Sequence, residues 1–459
     1  MAAETRGMKV DLDFIDWAVD KHGRNETELE RILWDSCGTE FNWRSPQQLS
    51  RAIYDGLGIS KPKNPFADAD GIDRSRFADS GLYKSTCTST FLLVEKTHHP
   101  LGTLIGALRE TQKLRRTLEK YRELAGPDGY VHQSYNQTGT RTGRLSCSRP
   151  NMQNVPSQVR GRFTQSVYSG STLRTEEYNL RNTFIAEPGY EFLSIDYKQM
   201  EMRMFGLLAK DPYMLAALAA GADIHAEIAK KVWGIVDKTH REWSKTIGFG
   251  LIYGMTLGSL MHKLNQTHAQ AAVIRDQYLR EFPRIMPWMN EVIEACMAHG
   301  YVRYWSGRIW REDVQRDMYK GANALIQGGC ADILSIAALR SDEWCQANPA
   351  YDTHIVNFVH DELKFHTPVG TKYEVAAGLA PCMEVPDIFN LPFMTDSKSG
   401  PSYGSQEGLF EKPAYKQEVS VEPNIEKASE AEEEAEQLAE EFPGDPLWVK
   451  TADGGVFLG

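Results

Sequence analysis

The chain has 459 residues, 41% hydrophobic and 25% charged, enough for several domains or one large multi-lobed body with a sizeable core. A net charge of −11 argues at first against a nucleic-acid partner, but ten acids fall within residues 421–446 against Lys427 alone, a local balance of −9; about −2 is left for the rest, so the body can carry a basic groove. Seven scattered cysteines without a Cys-x-x-Cys pair argue against a disulfide framework or zinc site, no apolar secretory core opens the chain and no apolar run approaches bilayer length, so a soluble, cytoplasmic protein without a membrane partner is expected.

In chain order, residues 8–12 read as a short strand and the stretch to residue 40 as a long amphipathic helix. Ser45 is placed to cap a further helix, with Pro46 at its first position, where a missing N–H costs nothing. Residues 60–80, rich in Lys, Pro, Asp and Gly, read as a mobile surface loop. From 102 to 124 the pattern is helical and basic: Arg109, Lys113, Arg115, Arg116, Lys120 and Arg122 stand against Glu110, Glu119 and Glu123. Charge alone leaves two readings open, a solvated face or a helix that follows DNA phosphates. Residues 138–156 are too rich in Gly, Ser, Thr and Pro for a long helix, yet hold Arg144, Asn151 and Gln153. Such a loop is either ordinary polar surface or one that positions phosphates and reads minor-groove edges.

Residues 192–195 form a short apolar strand ending at Asp196, and residues 355–365 read as strand, tight turn and strand, with His360, Asp361 and Glu362 at the turn. Two strands of one sheet can join Asp196 to Asp361 across 165 positions. Each aspartate alone reads equally as a strand-end cap. Arg241, Lys245, Phe249 and Tyr253 recur every four residues, so on a helix they form one slowly rotating stripe, each step rising about 6 Å. Cations at one end and rings at the other suit a nucleoside triphosphate, although an amphipathic helix with a basic start has the same pattern.

Four motifs in fixed order decide among these readings. TGRLSCSRPNMQNVP, FLSIDYKQMEMR, the stripe from Arg241 to Gly254, and VHDEL resemble the conserved loop and motifs A, B and C of the DNA polymerase I family (family A), over roughly residues 4–405. The resemblance implies an α+β right-hand fold, with an antiparallel palm sheet and largely helical thumb and fingers. It places the segment joining the palm at 1–23, the thumb at 24–125, the palm at 126–211 and 330–410, the fingers at 212–329, and an acidic, flexible tail at 411–459. The implied activity is template-directed, DNA-dependent DNA synthesis from dNTPs on a primer–template, using two Mg²⁺ ions for which Mn²⁺ can substitute.

By the same resemblance Asp196, Asp361 and the Tyr197 carbonyl hold the metals, with Glu362 a supporting carboxylate. Arg241 and Lys245 hold the triphosphate, Lys245 protonates the leaving pyrophosphate, and His225 and Gln199 join them. Phe249 stacks on the incoming nucleotide and, being Phe rather than Tyr, implies discrimination against dideoxynucleotides; Tyr253 sits beside the templating base. Glu201 bars a ribose 2′-hydroxyl, although a Glu opening a helix is also favoured by the macrodipole. Arg144, Asn151, Gln153, Asn323, Gln327 and His360 line the minor groove, with Arg115 and Arg116 as further DNA contacts.

Lys198, Met200, Cys147, Gly248 and Tyr319 depart from the family's usual Ser, Ile, Ser, Asn and Arg, and Gly248 costs about 1 kcal/mol of helix propensity. No 3′–5′ exonuclease is expected in this chain, and a monomer of phage or bacterial origin is expected, working in bacterial or phage-infected host cytoplasm. The tail reads as solvated chain or as a docking peptide for a replication partner, anchored by Trp448 and Phe457. Three rivals remain: a single-subunit RNA polymerase, opposed by Glu201 and the TGRLSC loop; a non-catalytic DNA-binding subunit, opposed by the intact acids and cations; and a metal-dependent nuclease, which has no use for the stripe.

Overall fold

The computed structural model describes residues 2–59, 100–156, 159–163, 174–252, 255–264, 266–311, 320–389, 391, 393–410, 449–450 and 456–457. The loop expected at 60–80, Tyr253, Tyr319, the Glu/Ala-rich stretch and Trp448 lie outside the described residues, as do the side chains of Phe249 and Phe457.

Helix α1 (Leu12–Cys37) starts where the Asp11 carboxylate accepts a hydrogen bond from Phe14 N at 2.9 Å, and it ends at Gly38, whose φ of 70° suits glycine. That cap shortens the strand expected at 8–12 to Met8–Lys9, because Leu12 already belongs to the helix. The helix Pro46–Ser50 begins as expected, with Ser45 accepting from Gln48 N and Pro46 in its first turn. Helix α2 (Pro100–Leu124) packs along α1, and the pair has its own apolar core around Leu29, Leu33, Leu49, Ile105 and Leu108.

Between these helices the buried Glu26 accepts from Arg44 Nη2 at 2.6 Å, Arg115 Nε at 2.9 Å and Gln112 Nε2 at 2.9 Å. A buried carboxylate persists only with such partners, and removing one typically costs about 3–5 kcal/mol. Arg115 also reaches Glu119 at 2.6 Å. Arg115, expected among the DNA contacts, thus bridges the two helices through Glu26. The exposed row on α2 is Lys113, Arg116 and Lys120.

The main core surrounds a five-stranded antiparallel sheet. In chain order its site-bearing elements are β1 (Tyr190–Tyr197), α3 (Met200–Ala209), α4 (Ile224–Trp233), α5 (Lys238–Ile252), α6 (Lys320–Ala347), β2 (His354–Val359), β3 (Glu362–Pro368), α7 (Lys372–Glu384), β4 (Thr395–Gly400) and β5 (Glu407–Gly408). The strands lie in the order β2-β3-β1-β4-β5. Phe192, Leu193, Ser194 and Ile195 of β1 are all buried, because the sheet is covered on both faces; this is why β1 reads as a continuous apolar run rather than an alternating one.

Helix α6 corrects the reading that no segment is long and apolar enough to cross a bilayer. Its 28 residues include a stretch of mean hydropathy 1.4 that passes that test by length and composition. Within the molecule 56% of that stretch is buried, and α6 packs against α3, α7 and Ile285–His299. A helix enclosed on several sides loses its polar face.

Gly248 also has a packing reason. A Cβ there would lie 3.1 Å from the Tyr278 hydroxyl, so glycine lets α5 approach the buried Tyr278. Strands Val449–Lys450 and Val456–Phe457 pair antiparallel, and the second lies beside the strand Tyr301–Arg303.

Candidate active site

Register brings the acids together. Glu362, first residue of β3, is the cross-strand partner of Asp196 on β1, and Asp361 precedes it in the two-residue turn from β2. The turn opens with His360 at φ 55°, exposed, in the left-handed conformation that tight hairpins demand. Tyr197 N donates to the Asp361 carbonyl at 3.2 Å, tying the turn to the end of β1, and the buried Tyr197 hydroxyl donates to Met383 O at 2.5 Å. Burial, then the neighbouring Asp361 and Glu362 carboxylates, push Asp196 up to about 7. Asp361 is raised by burial too, with Glu201 adding to the effect and Arg144 and His360 opposing it.

Asp396 on β4 is the other cross-strand partner of Asp196, so Glu362, Asp196 and Asp396 form a row across three strands. The two outer acids each have a lysine. Lys364 Nζ lies 2.6 Å from Glu362 Oε1, and Lys198 Nζ lies 2.8 Å from Asp396 Oδ1. Among the described residues no group of three or more His, Cys, Asp or Glu side chains is arranged to hold a metal ion. Asp196 and Asp361 still fit a divalent cation in one specific sense: two crowded, partly buried carboxylates repel each other, and a hard cation completed by phosphate oxygens would relieve that repulsion.

Beside this row Arg144 Nη2 donates to Glu201 Oε1 at 2.5 Å, joining the TGRLSC loop to the first turn of α3. The loop itself is pinned by the buried Cys147, whose Sγ accepts from Met152 N at 3.4 Å. Asn151 Oδ1 accepts from Gln153 N at 3.1 Å as the cap of the turn Met152–Asn154. Asn323 and Gln327 lie one turn apart on α6, and Asn323 Oδ1 is buried with no hydrogen-bond partner among the described residues.

Arg241, at the head of the basic stripe, is held by a residue that the sequence did not single out. Asp223 caps α4, its Oδ1 accepting from His225 N at 3.0 Å and from Gln199 Nε2 at 2.8 Å, while its Oδ2 accepts from Arg241 Nε at 2.8 Å. Gln199 Oε1 in turn accepts from Ile224 N at 3.2 Å. Both ends of the Gln199 amide are thus engaged at the start of α4, and Arg241 is held by a carboxylate. Lys245, one turn on, is exposed. His225 is buried rather than on the surface, and burial pushes it down to about 4, so it is neutral at pH 7.

The family model of DNA polymerase family A matches residues 18–405. The chain belongs to DNA polymerase family A. DNA polymerase I of Deinococcus radiodurans is 32% identical over 415 residues, covering 87% of this chain and 40% of that protein. The Pseudomonas aeruginosa DNA polymerase I is 29% identical over 416 residues, covering 87% of this chain and 42% of its own length. The chain therefore spans well under half of these relatives. The solved POL domain of Pol1 from M. smegmatis, in complex with DNA primer-template and dNTP, is 25% identical with a TM-score of 0.74, over 88% of this chain and 69% of that one. The right-hand family A fold expected from the four motifs is borne out.

Sequence reasoning missed Lys364, Asp223 and Asp396. A lysine between Leu363 and Phe365 was the available signal for the first, and a helix-capping Asp two residues before His225 for the second. For Asp396, nothing short of strand register would serve.

Proposed function

We propose that this chain is a template-directed, DNA-dependent DNA polymerase, adding dNTPs to a primer 3′-hydroxyl and releasing pyrophosphate. The observation that carries the reading is the convergence of Asp196 and Asp361, with Asp196 raised to about 7 by burial and by its acidic neighbours. Such a pair is poorly suited to a merely structural role, because uncompensated like charges destabilise a fold. In this reading the two aspartates and the Tyr197 carbonyl hold two Mg²⁺ ions, or Mn²⁺. Bound there, the ions would make the 3′-hydroxyl nucleophilic and neutralise the leaving pyrophosphate.

The chain's own groups supply the rest. Arg241 exchanges Asp223 for triphosphate oxygens, and Lys245 stands ready to give a proton to the departing pyrophosphate. Gln199 orders the start of α4 beneath them, with neutral His225 as a further triphosphate contact. Phe249 and Tyr253 take the sugar, the base and the template position. Glu201, steadied by Arg144, fills the space of a ribose 2′-hydroxyl. Asn151, Gln153, Asn323, Gln327 and His360 face the minor groove, where acceptors common to all correct pairs report shape rather than sequence. Arg116 on α2 is the better phosphate contact, since Arg115 is engaged with Glu26 and Glu119.

In domain terms the α1–α2 pair is the thumb, the five-stranded sheet the palm and α4–α5 part of the fingers. The bacterial relatives favour a cytoplasmic setting. Monomeric state and a tail-docking replication partner belong to the same proposal. Primer extension with each dNTP and each rNTP, with and without Mg²⁺ and scored for 3′ degradation, tests it. Extension by dNTPs alone, dependent on metal and template, supports the reading; rNTP extension or degradation without synthesis overturns it.

A further inference from the structure

Lys364 is a lysine with no exposed surface, in the middle of a sheet. Its ammonium group has three near neighbours. Nζ lies 2.6 Å from Glu362 Oε1, donates to Ser194 Oγ at 2.8 Å, and sits 4.0 Å from the centre of the Tyr403 ring. The Arg181 guanidinium lies over the same ring at 4.5 Å, so a second cation discourages any escape in that direction. Ser194 is the register partner of Lys364 on β1, two residues before Asp196. A buried ammonium demands a carboxylate and holds it in place. Glu362 is therefore anchored from behind, on its own strand, while standing directly across from Asp196.

An acid next to Asp361 and opposite Asp196 would otherwise be a natural third ligand. Yet no trio of metal-binding side chains forms among the described residues.

We propose that Lys364 is a positioning residue that withholds Glu362 from the metal site, so that the chain contributes two carboxylates and leaves the remaining coordination to substrate phosphates. The benefit is chemical. A three-carboxylate cage would hold a divalent ion tightly without substrate, whereas a two-carboxylate site holds it more weakly, with water in the remaining positions, until nucleotide phosphates replace that water. Lys198 acts in parallel on Asp396, in a more exposed pair.

The inference rests on the proposed polymerase reading, and one set of titrations separates the two. Mn²⁺ binding to the full chain, without DNA or nucleotide, is followed by loss of the free-ion EPR signal. The double variant E362Q/K364M removes a matched pair and leaves no orphaned charge. It is expected to bind Mn²⁺ within about threefold of the unmodified chain. A weakening of tenfold or more would mean that Glu362 is itself a ligand, and would overturn the proposal. K364M alone frees Glu362 and is expected to bind Mn²⁺ at least tenfold more tightly; unchanged or weaker binding counts against the proposal. If K364M does not fold, the double variant decides alone. D361A is the control for the underlying reading. If it binds Mn²⁺ and extends primers as the unmodified chain does, that reading fails. If it loses both while the double variant weakens tenfold, only the role of Lys364 fails.

Discussion

The acidic row and the basic stripe face the same proposed substrate but are built in opposite ways. Asp196, Asp361 and Glu362 are fixed by strand register and a two-residue turn, and each backbone position is set by a neighbour. Arg241 and Lys245 stand on a helix, one held by an exchangeable ion pair with Asp223 and the other exposed. In the proposed polymerase, the groups that must keep an Å-scale geometry sit in a sheet, and those proposed to capture and release a triphosphate sit where a partner can be swapped.

The largest expected effect breaks the acidic side. Asp361→Asn should lower the extension rate by about 10³-fold or more, roughly 4 kcal/mol of transition-state stabilisation, measured in single-turnover assays. It should also raise the melting temperature in metal-free buffer near pH 8, because a repelling charge beside Asp196 is gone. Loss of activity together with loss of stability would point to a structural aspartate instead. On the basic side, Arg241→Ala should cost about 10²-fold in kcat/KM for dNTP, with Lys245→Ala falling mainly in kcat, which kinetics across dNTP concentrations resolves.

Acid stability sharpens the contrast. His366 on β3 is buried against Phe192, neither ring nitrogen has a partner among the described residues, and burial pushes it down to about 3. Its folded pKa lies below the ordinary 6.5, so the unfolded chain takes up a proton first. The stability that His366 contributes is present above 6.5 and is lost as pH falls toward 3. At pH 5 the loss is about 2 kcal/mol. His366→Leu should therefore narrow the gap between urea midpoints at pH 7 and pH 5, whereas an unchanged gap would mean that the imidazole is solvated. Asp196 acts with the opposite sign, its contribution present below 3.8 and lost as pH rises through about 7, so the variant difference, not the raw profile, isolates the histidine.

The smallest effect is at Asp223. Asparagine still caps α4 but no longer holds Arg241 as a charge, so Asp223→Asn should lower the KM for dNTP by a few-fold with little change in kcat. A raised KM would show that Asp223 presents Arg241 rather than competing for it.

Local signals were legible in the sequence where the physics is local. Ser45 and Pro46 announced a helix start, the apolar run before Asp196 a covered strand, and the spacing from Arg241 to Lys245 a helical face. What could not be read depends on distant partners. The pair of Arg115 with Glu26 could not be read, because the two lie 89 positions apart. Lys364 passed unnoticed, since only register sets it against Ser194. Helix α6 is apolar on several faces because it is enclosed, which hydropathy along the chain does not distinguish from a membrane span.

The most direct measurement is anomalous diffraction at the Mn²⁺ edge, from crystals of the full chain with a dideoxy-terminated primer–template and a matched dNTP. The account predicts two peaks about 3.5–4 Å apart, both touching Asp196 and Asp361 and neither touching Glu362. Peaks away from that turn, or none there in a complex with bound nucleotide, would contradict it.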